Sequence, residues 1–191
     1  MNKTRWLASG LTAVLAPTLS FAHPGHGADG LLAGALHPLA GVDHVAAMLA
    51  IGLWAAQLGA RLRWALPACF VLLMLAGACA GLSGLPVGNV EQAIAASVLV
   101  LGLLVASAAR LPASVCLLLA GAFAFFHGFA HGSEAQSGAT APFLAGMLVT
   151  TASLHGAGLC LATWLQQRSA PALARWGGAA TAMLGIALLL N

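Results

Sequence analysis

The segment from Leu36 to Met48 reads LHPLAGVDHVAAM and lies in an apolar run that is long enough to cross a membrane. Three of its residues are polar: His37, Asp43 and His44. A charged side chain at the centre of a spanning helix costs about 2.5 to 3.5 kcal/mol on insertion scales, so these residues need a compensating role. Because Pro38 lacks an N–H and Gly41 follows it, we expect a kinked or unwound segment that borders a cavity within the membrane.

The composition is that of an integral membrane protein. Of the 191 residues, 61% are hydrophobic and only 6% are charged, against about a quarter charged in soluble domains. The formal net charge is +3 and no cluster of lysine or arginine occurs, so nucleic acid binding is not expected. The sequence also lacks a glycine-rich loop of the G-x-x-x-x-G-K-[ST] type, so we expect no ATP site.

The first 22 residues, MNKTRWLASGLTAVLAPTLSFA, resemble a secretory signal peptide. They begin with two basic residues, continue with an apolar stretch, and end with small residues at the −3 and −1 positions of a cleavage site. We predict that residues 1–22 are removed and that His23 becomes the mature N-terminus. An uncleaved first helix is the alternative.

Six apolar runs of spanning length follow, at residues 31–57, 64–83, 90–109, 112–131, 142–165 and 172–190. They predict an all-α bundle of six transmembrane helices that forms one domain over residues 23–191. The 23 glycines favour close helix packing in lipid. A short sequence similarity between LHPLAG (36–41), FHGFAHG (126–132) and LHGAG (154–158) suggests an inverted 3+3 repeat, an arrangement common in transporters.

The arginines that follow the signal peptide indicate the orientation. They all fall in the loops on one side of the predicted bundle: Arg61, Arg63, Arg110, Arg168 and Arg175. The opposite loops, SGLPVGNVE (83–91) and HGSEAQSGATAP (131–142), contain no lysine or arginine. The positive-inside rule therefore predicts a multi-pass protein of the bacterial inner membrane with a periplasmic N-terminus.

A second group of polar residues lies at the end of the fourth span. His127, His131 and Glu134 are spaced i, i+4 and i+7, so they share one helix face, and Glu91 begins the third span on the same side of the membrane. Imidazole and carboxylate groups without thiolate suit Ni²⁺, Co²⁺ or Zn²⁺. We predict a metal path that leads inward from the outer surface and is formed by seven residues: His37, Asp43, His44, Glu91, His127, His131 and Glu134.

Five further residues are candidate accessory ligands: His23, His26, Asp29, Met48 and His155. The first three would form a capture arm at the mature N-terminus, with a merely solvated terminus as the alternative. A hydrogen-bonded packing role is the competing interpretation of His155. The four cysteines lie in apolar spans without close neighbours, and we interpret them as buried unpaired residues rather than disulfides or ligands.

Two motifs resemble those of the HupE/UreJ family of nickel and cobalt permeases. These are H-x5-D-H, from His37 to His44, and FHGFAHGSE, from Phe126 to Glu134. The larger nickel/cobalt transporter family has H-x4-D-H, which is one residue shorter. The resemblance implies metal uptake, and we predict a secondary permease for Ni²⁺ or Co²⁺ that supplies metalloenzymes such as hydrogenase or urease, without enzymatic activity or a permanently bound cofactor. The histidines and acids of the two motifs are then its candidate ligands.

Two alternatives remain open at this point. GLSG, from Gly81 to Gly84, has the G-x-S-G form of rhomboid serine proteases, and this interpretation requires Ser83 to reach His155 or His127. It leaves the intramembrane acids unexplained. A non-transporting metal sensor or assembly factor is the other alternative, and the short loops offer it no partner-binding domain.

Overall fold

The apolar runs form helices of membrane-spanning length. The computed structural model describes residues 30–134 and 141–191, and within these ranges the chain forms helices and no strands. The helices are α1 (Leu31–Ala40), α2 (Val42–Leu58), α3 (Leu62–Leu82), α4 (Val90–Ser107), α5 (Ala113–Glu134), α6 (Ala141–Gln167) and α7 (Pro171–Leu190). The predicted signal peptide and the accessory residues His23, His26 and Asp29 lie outside the described residues.

The five helices from α3 to α7 are each long and apolar enough to cross a membrane, and α1 with α2 makes a sixth span if the bent pair counts as one. The prediction of an all-α protein with multiple spans is therefore confirmed. The kink expected near Pro38 and Gly41 is confirmed, since the run over residues 31–57 is divided into α1 and α2, which meet at 89°. The break is at Gly41, whose extended backbone (φ −99°, ψ 118°) leaves the helical range. His37 and Pro38 lie within α1, so the backbone at His37 is helical and not unwound.

The absence of a side chain at Gly41 leaves room for the polar residues that follow it. A Cβ atom added there would lie 2.6 Å from Asp43 Oδ1 and 2.8 Å from His44 Nδ1. These separations are shorter than any nonbonded carbon contact allows, so a larger residue would displace both side chains. Gly41 therefore permits the bend between α1 and α2 and also leaves space for the side chains of Asp43 and His44.

The helices associate in closely packed pairs: α3 with α5, α4 with α7, and α6 with both α1 and α2. Glycines permit the close approach. A Cβ atom added at Gly128 of α5 would lie 1.9 Å from the carbonyl oxygen of Met74 in α3, and one at Gly132 would lie 2.1 Å from that of Ala78. Because backbone touches backbone at these points, the α3–α5 pair fixes the position of the polar face of α5.

We expect Gly128→Ala to lower the thermal stability of the purified protein, because its methyl group would force α3 and α5 apart. Overpacking of this kind typically costs about 1 to 3 kcal/mol, which exceeds the gain of about 1 kcal/mol in helix propensity. Gly177→Ala is the matched control, since a Cβ atom there meets nothing within 4 Å. A thermal unfolding scan in detergent measures both variants. Equal melting temperatures for them would contradict the close packing of α3 and α5.

The five arginines among the described residues lie at one end of the bundle, where α2, α4 and α6 end and α3, α5 and α7 begin. Three side chains link helices at this end by donating to carbonyls near the C-terminus of α4: Trp54 Nε1 to Ala109, Gln57 Nε2 to Val105, and Arg175 Nε to Ala106. Three further tryptophans, Trp64, Trp164 and Trp176, are exposed here, as expected at a membrane surface.

The four cysteines are free. Cys116 is buried and Cys69 is partly buried, but Cys79 and Cys160 are exposed on the outside of the bundle. The prediction that all four are buried is therefore wrong for the last two. Apolar composition alone does not separate a side chain that faces lipid from one that faces another helix.

Candidate metal site

Three of the predicted ligands meet at the end of the bundle opposite the described arginines. His37 of α1 and His131 and Glu134 of α5 each place one ligand atom within 4.8 Å of the others. His37 Nε2 lies 3.1 Å from Glu134 Oε2. The Glu134 side chain is 59% exposed and that of His37 is 34% exposed, whereas His131 is buried. This rim cluster, composed of His37, His131 and Glu134, therefore joins the surface to the interior.

Packing against α6 positions α1 over the end of α5. Gly34 of α1 comes so close to α6 that a Cβ atom added to it would lie 1.9 Å from the carbonyl oxygen of Phe143. The Phe143 ring also contacts the His37 ring, with centroids 5.5 Å apart. The bend at Gly41 and the glycine contact with α6 together fix α1 so that His37 meets Glu134.

A second pair of histidines lies deeper, where His44 of α2 contacts His127 of α5 with ring centroids 4.8 Å apart. Asp43 Oδ1 lies 2.9 Å from His44 Nδ1 and also accepts the backbone N–H of His44 at 2.8 Å. Because an ionised carboxylate only accepts, His44 Nδ1 is the nitrogen that carries the proton. The other nitrogen, Nε2, is buried and forms no hydrogen bond with the described residues. This inner pair, His44 and His127, thus has an imidazole nitrogen available from His44.

His127 has a hydrogen-bond partner that the sequence does not indicate. Ser97 of α4 lies with its Oγ 2.8 Å from His127 Nε2, and both residues are fully buried. A serine in an apolar span has many ordinary roles, and its distance of 30 residues from His127 gives no periodicity to detect. Only the packing of α4 against α5 identifies it.

His131 joins the rim cluster to the inner pair. Its ring centroid lies 4.8 Å from that of His37 and 4.5 Å from that of His44. Both of its ring nitrogens are buried and form no hydrogen bond within the described part of the chain. From Glu134 to His127 is seven residues of helix, about 10 Å along the axis, so Glu134 and the four imidazoles together form a continuous row of that depth.

The remaining candidates lie outside this row. Glu91 is exposed in the first turn of α4 and does not belong to the rim cluster. Met48 is fully buried one turn after His44, on the inner side of the row. His155 is buried against the Phe70 ring, with centroids 5.0 Å apart, and its nitrogens form no hydrogen bond with described residues. The packing interpretation of His155 required such a hydrogen bond.

Ser83 follows the end of α3 and is exposed. Its hydroxyl donates to the carbonyl of Ala80 at 2.6 Å. Among the described residues it forms no hydrogen bond with a histidine, so the structure gives the serine protease interpretation no support.

Both motifs contribute to one row of polar groups, and similarity to known proteins extends over most of the chain. The family model described as HupE / UreJ protein matches residues 11–188 of this chain. The chain belongs to the HupE/UreJ family. This family consists of transporters and accessory proteins, not known enzymes, and is generally associated with nickel and cobalt uptake for hydrogenase and urease.

Among curated relatives of the family, Protein HupE from Rhizobium leguminosarum bv. viciae is 45% identical to this chain over 105 residues. The alignment covers 55% of this chain and 55% of that relative, so the chain spans about half the length of the curated protein it matches. No solved structure matches the chain.

Proposed function

We propose that this protein is a secondary permease that takes up Ni²⁺, and also Co²⁺, across the bacterial inner membrane to supply metalloenzymes such as hydrogenase or urease. The supporting observation is the rim cluster, in which one ligand atom from each of His37, His131 and Glu134 lies within 4.8 Å of the others. It continues inward through His44 to His127. The metal ion is the transported substrate and not a resident cofactor.

The row of ligands provides a route for the ion in three steps. Glu134, which is exposed, attracts the hydrated cation by its charge, and His37 beside it supplies the first nitrogen. His131 then replaces further water molecules. The inner pair receives the ion close to Asp43, whose carboxylate offsets part of the ion's charge within the membrane.

The donor set favours borderline divalent ions. Imidazole nitrogens suit nickel, cobalt and zinc, whereas Mg²⁺ and Ca²⁺ prefer oxygen ligands throughout. The described site contains four histidines and two carboxylates along one row, without a thiolate. We therefore expect competition from Co²⁺ and little from Mg²⁺.

The orientation that we propose places the rim cluster in the periplasm and the arginines in the cytoplasm, as the positive-inside rule requires. A cation that enters toward a negative interior gains about 2.3 kcal/mol per charge for each 100 mV. Uptake of a divalent ion therefore needs no coupling to another ion. In this orientation Glu91 and a capture arm formed by His23, His26 and Asp29 would gather ions at the entrance, and Met48 would contact the ion below His44.

The pairing of the helices supports an inverted repeat of three spans. In such a repeat, spans 1, 2 and 3 correspond to spans 4, 5 and 6. The pairing of span 1 with span 5 must then be matched by a pairing of span 4 with span 2, and the pairing of span 3 with span 6 is matched by itself. The closely packed pairs follow this rule, with the bent α1 and α2 taken as one span. Inverted repeats in transporters place the substrate site at the interface between the two halves.

Uptake of ⁶³Ni²⁺ by cells expressing this chain tests the proposal. We expect accumulation above that of cells with an empty vector, reduced by excess Co²⁺ but not by Mg²⁺. Ser83→Ala should transport normally, and its loss of uptake would favour the protease alternative. Binding of nickel without uptake by a correctly inserted protein would contradict transport and favour a metal sensor or assembly factor.

A further inference from the structure

We infer that Ser97 is a positioning residue that holds His127 in the tautomer whose Nδ1 has a free lone pair for the metal ion. This inference rests on the proposed function and extends it beyond the predicted ligands to a residue that contributes no ligand itself. The contact that carries it is the 2.8 Å approach of Ser97 Oγ to His127 Nε2.

The direction of this hydrogen bond follows from the single proton of the hydroxyl. Ser97 Oγ lies 2.6 Å from the carbonyl oxygen of Ile94, which only accepts, so the hydroxyl proton is donated there. The serine oxygen must therefore accept from His127, and Nε2 is the nitrogen that carries the proton. A neutral imidazole carries one N–H, so His127 Nδ1 retains its lone pair.

Nothing among the described residues competes for that lone pair. His127 Nδ1 is buried and forms no hydrogen bond with them, and the His127 side chain is fully buried. Leaving a buried acceptor unpaired typically costs about 1 to 3 kcal/mol. A nitrogen kept in this state by a specific partner on the opposite side of the same ring is typical of a metal ligand.

The inner pair has the same arrangement twice, with different partners. Asp43 accepts from Nδ1 of His44 and leaves Nε2 available, whereas Ser97 accepts from Nε2 of His127 and leaves Nδ1 available. The serine supplies an acceptor without adding a second negative charge to a fully buried position. Hydrogen-bond partners of metal-binding histidines typically change metal affinity by about 10- to 100-fold when removed.

Transport kinetics test this role. We expect Ser97→Ala to raise the Ni²⁺ concentration for half-maximal ⁶³Ni²⁺ uptake by about 10- to 100-fold, with the maximal rate close to that of the wild type. Ser97→Thr retains the hydroxyl and should restore affinity. Ser107→Ala is the matched control, because Ser107 also donates to a carbonyl of α4, that of Leu103, but forms no hydrogen bond with a described histidine.

A double-mutant test separates positioning from general packing. If Ser97 acts through His127, Ser97→Ala should cause no further loss of affinity in a His127→Gln protein. The same fold-loss in both backgrounds would overturn the inference. So would an unchanged half-maximal concentration in Ser97→Ala.

Nitrogen-15 NMR of the purified protein with labelled histidine reads the tautomer directly. We expect His127 of the wild type to show a protonated Nε2 and an unprotonated Nδ1, and Ser97→Ala to show a mixture of the two tautomers. A protonated Nδ1 in the wild type would overturn the inference even if the alanine variant did not fold. If the wild type took up no nickel, the proposed function would fail, while the NMR measurement would still decide the tautomer.

Discussion

Asp43→Asn is expected to reduce ⁶³Ni²⁺ uptake at least about a hundredfold without disturbing insertion of the protein. Asparagine has nearly the size of aspartate, and its amide oxygen can still accept from His44 Nδ1, which lies 2.9 Å from the carboxylate. The substitution therefore preserves the hydrogen bond and removes the charge. Two unit charges about 4 Å apart attract by about 4 kcal/mol at an effective dielectric constant of 20, and a divalent ion would be attracted equally at twice that distance, which corresponds to about a thousandfold in binding.

The control for Asp43→Asn is Thr181→Val, which also removes a polar group from a membrane-spanning helix. Among the described residues the Thr181 hydroxyl donates to the carbonyl of Gly177 in its own helix, α7, which contributes no histidine to the row. Both variants should reach the membrane in wild-type amounts, as measured by quantitative blotting of membrane fractions. Normal uptake by Asp43→Asn would contradict the proposal that the Asp43 carboxylate offsets the charge of a metal ion at the inner pair.

The sequence predicts the helices well because spanning length and apolar character determine them locally. The five helices from α3 to α7 fall within a few residues of the predicted runs. The exception is the first run, where composition gives one continuous segment and the structure bends by 89° at Gly41. Pro38 and Gly41 indicate a break, but the angle depends on how α1 packs against α6, which is a contact over more than 100 residues of chain.

The candidate site was predictable to the extent that it follows helix periodicity. The spacing of His127, His131 and Glu134 places them on one face, and the structure brings His37 to the same place. Glu91 was assigned to the metal path only because it lies at the same depth in the membrane as the other ligands. Depth does not specify whether a side chain faces the site or turns away from it. Ser97 could not be found from sequence, because its importance comes only from the partner it meets on another helix.

His131→Phe is expected to reduce uptake to the background of the empty vector while raising the thermal stability of the protein. His131 contacts the rings of both His37 and His44, so removing its nitrogens interrupts the row at its midpoint. Phenylalanine retains a planar ring of similar size and therefore preserves the packing. Stability should rise because both His131 nitrogens are buried without a hydrogen-bond partner among the described residues, at a cost of about 1 to 3 kcal/mol each.

Opposite changes in uptake and stability would identify His131 as a residue retained for function at the expense of stability. Uptake measured in cells and melting temperature measured in detergent provide the two values. Phe143→Leu is the comparison variant, since it alters a ring packed against His37 without removing a ligand atom, and its uptake should persist. If His131→Phe still transported nickel, the ion would have to pass from the rim cluster to the inner pair without this imidazole, and the proposed row would be wrong.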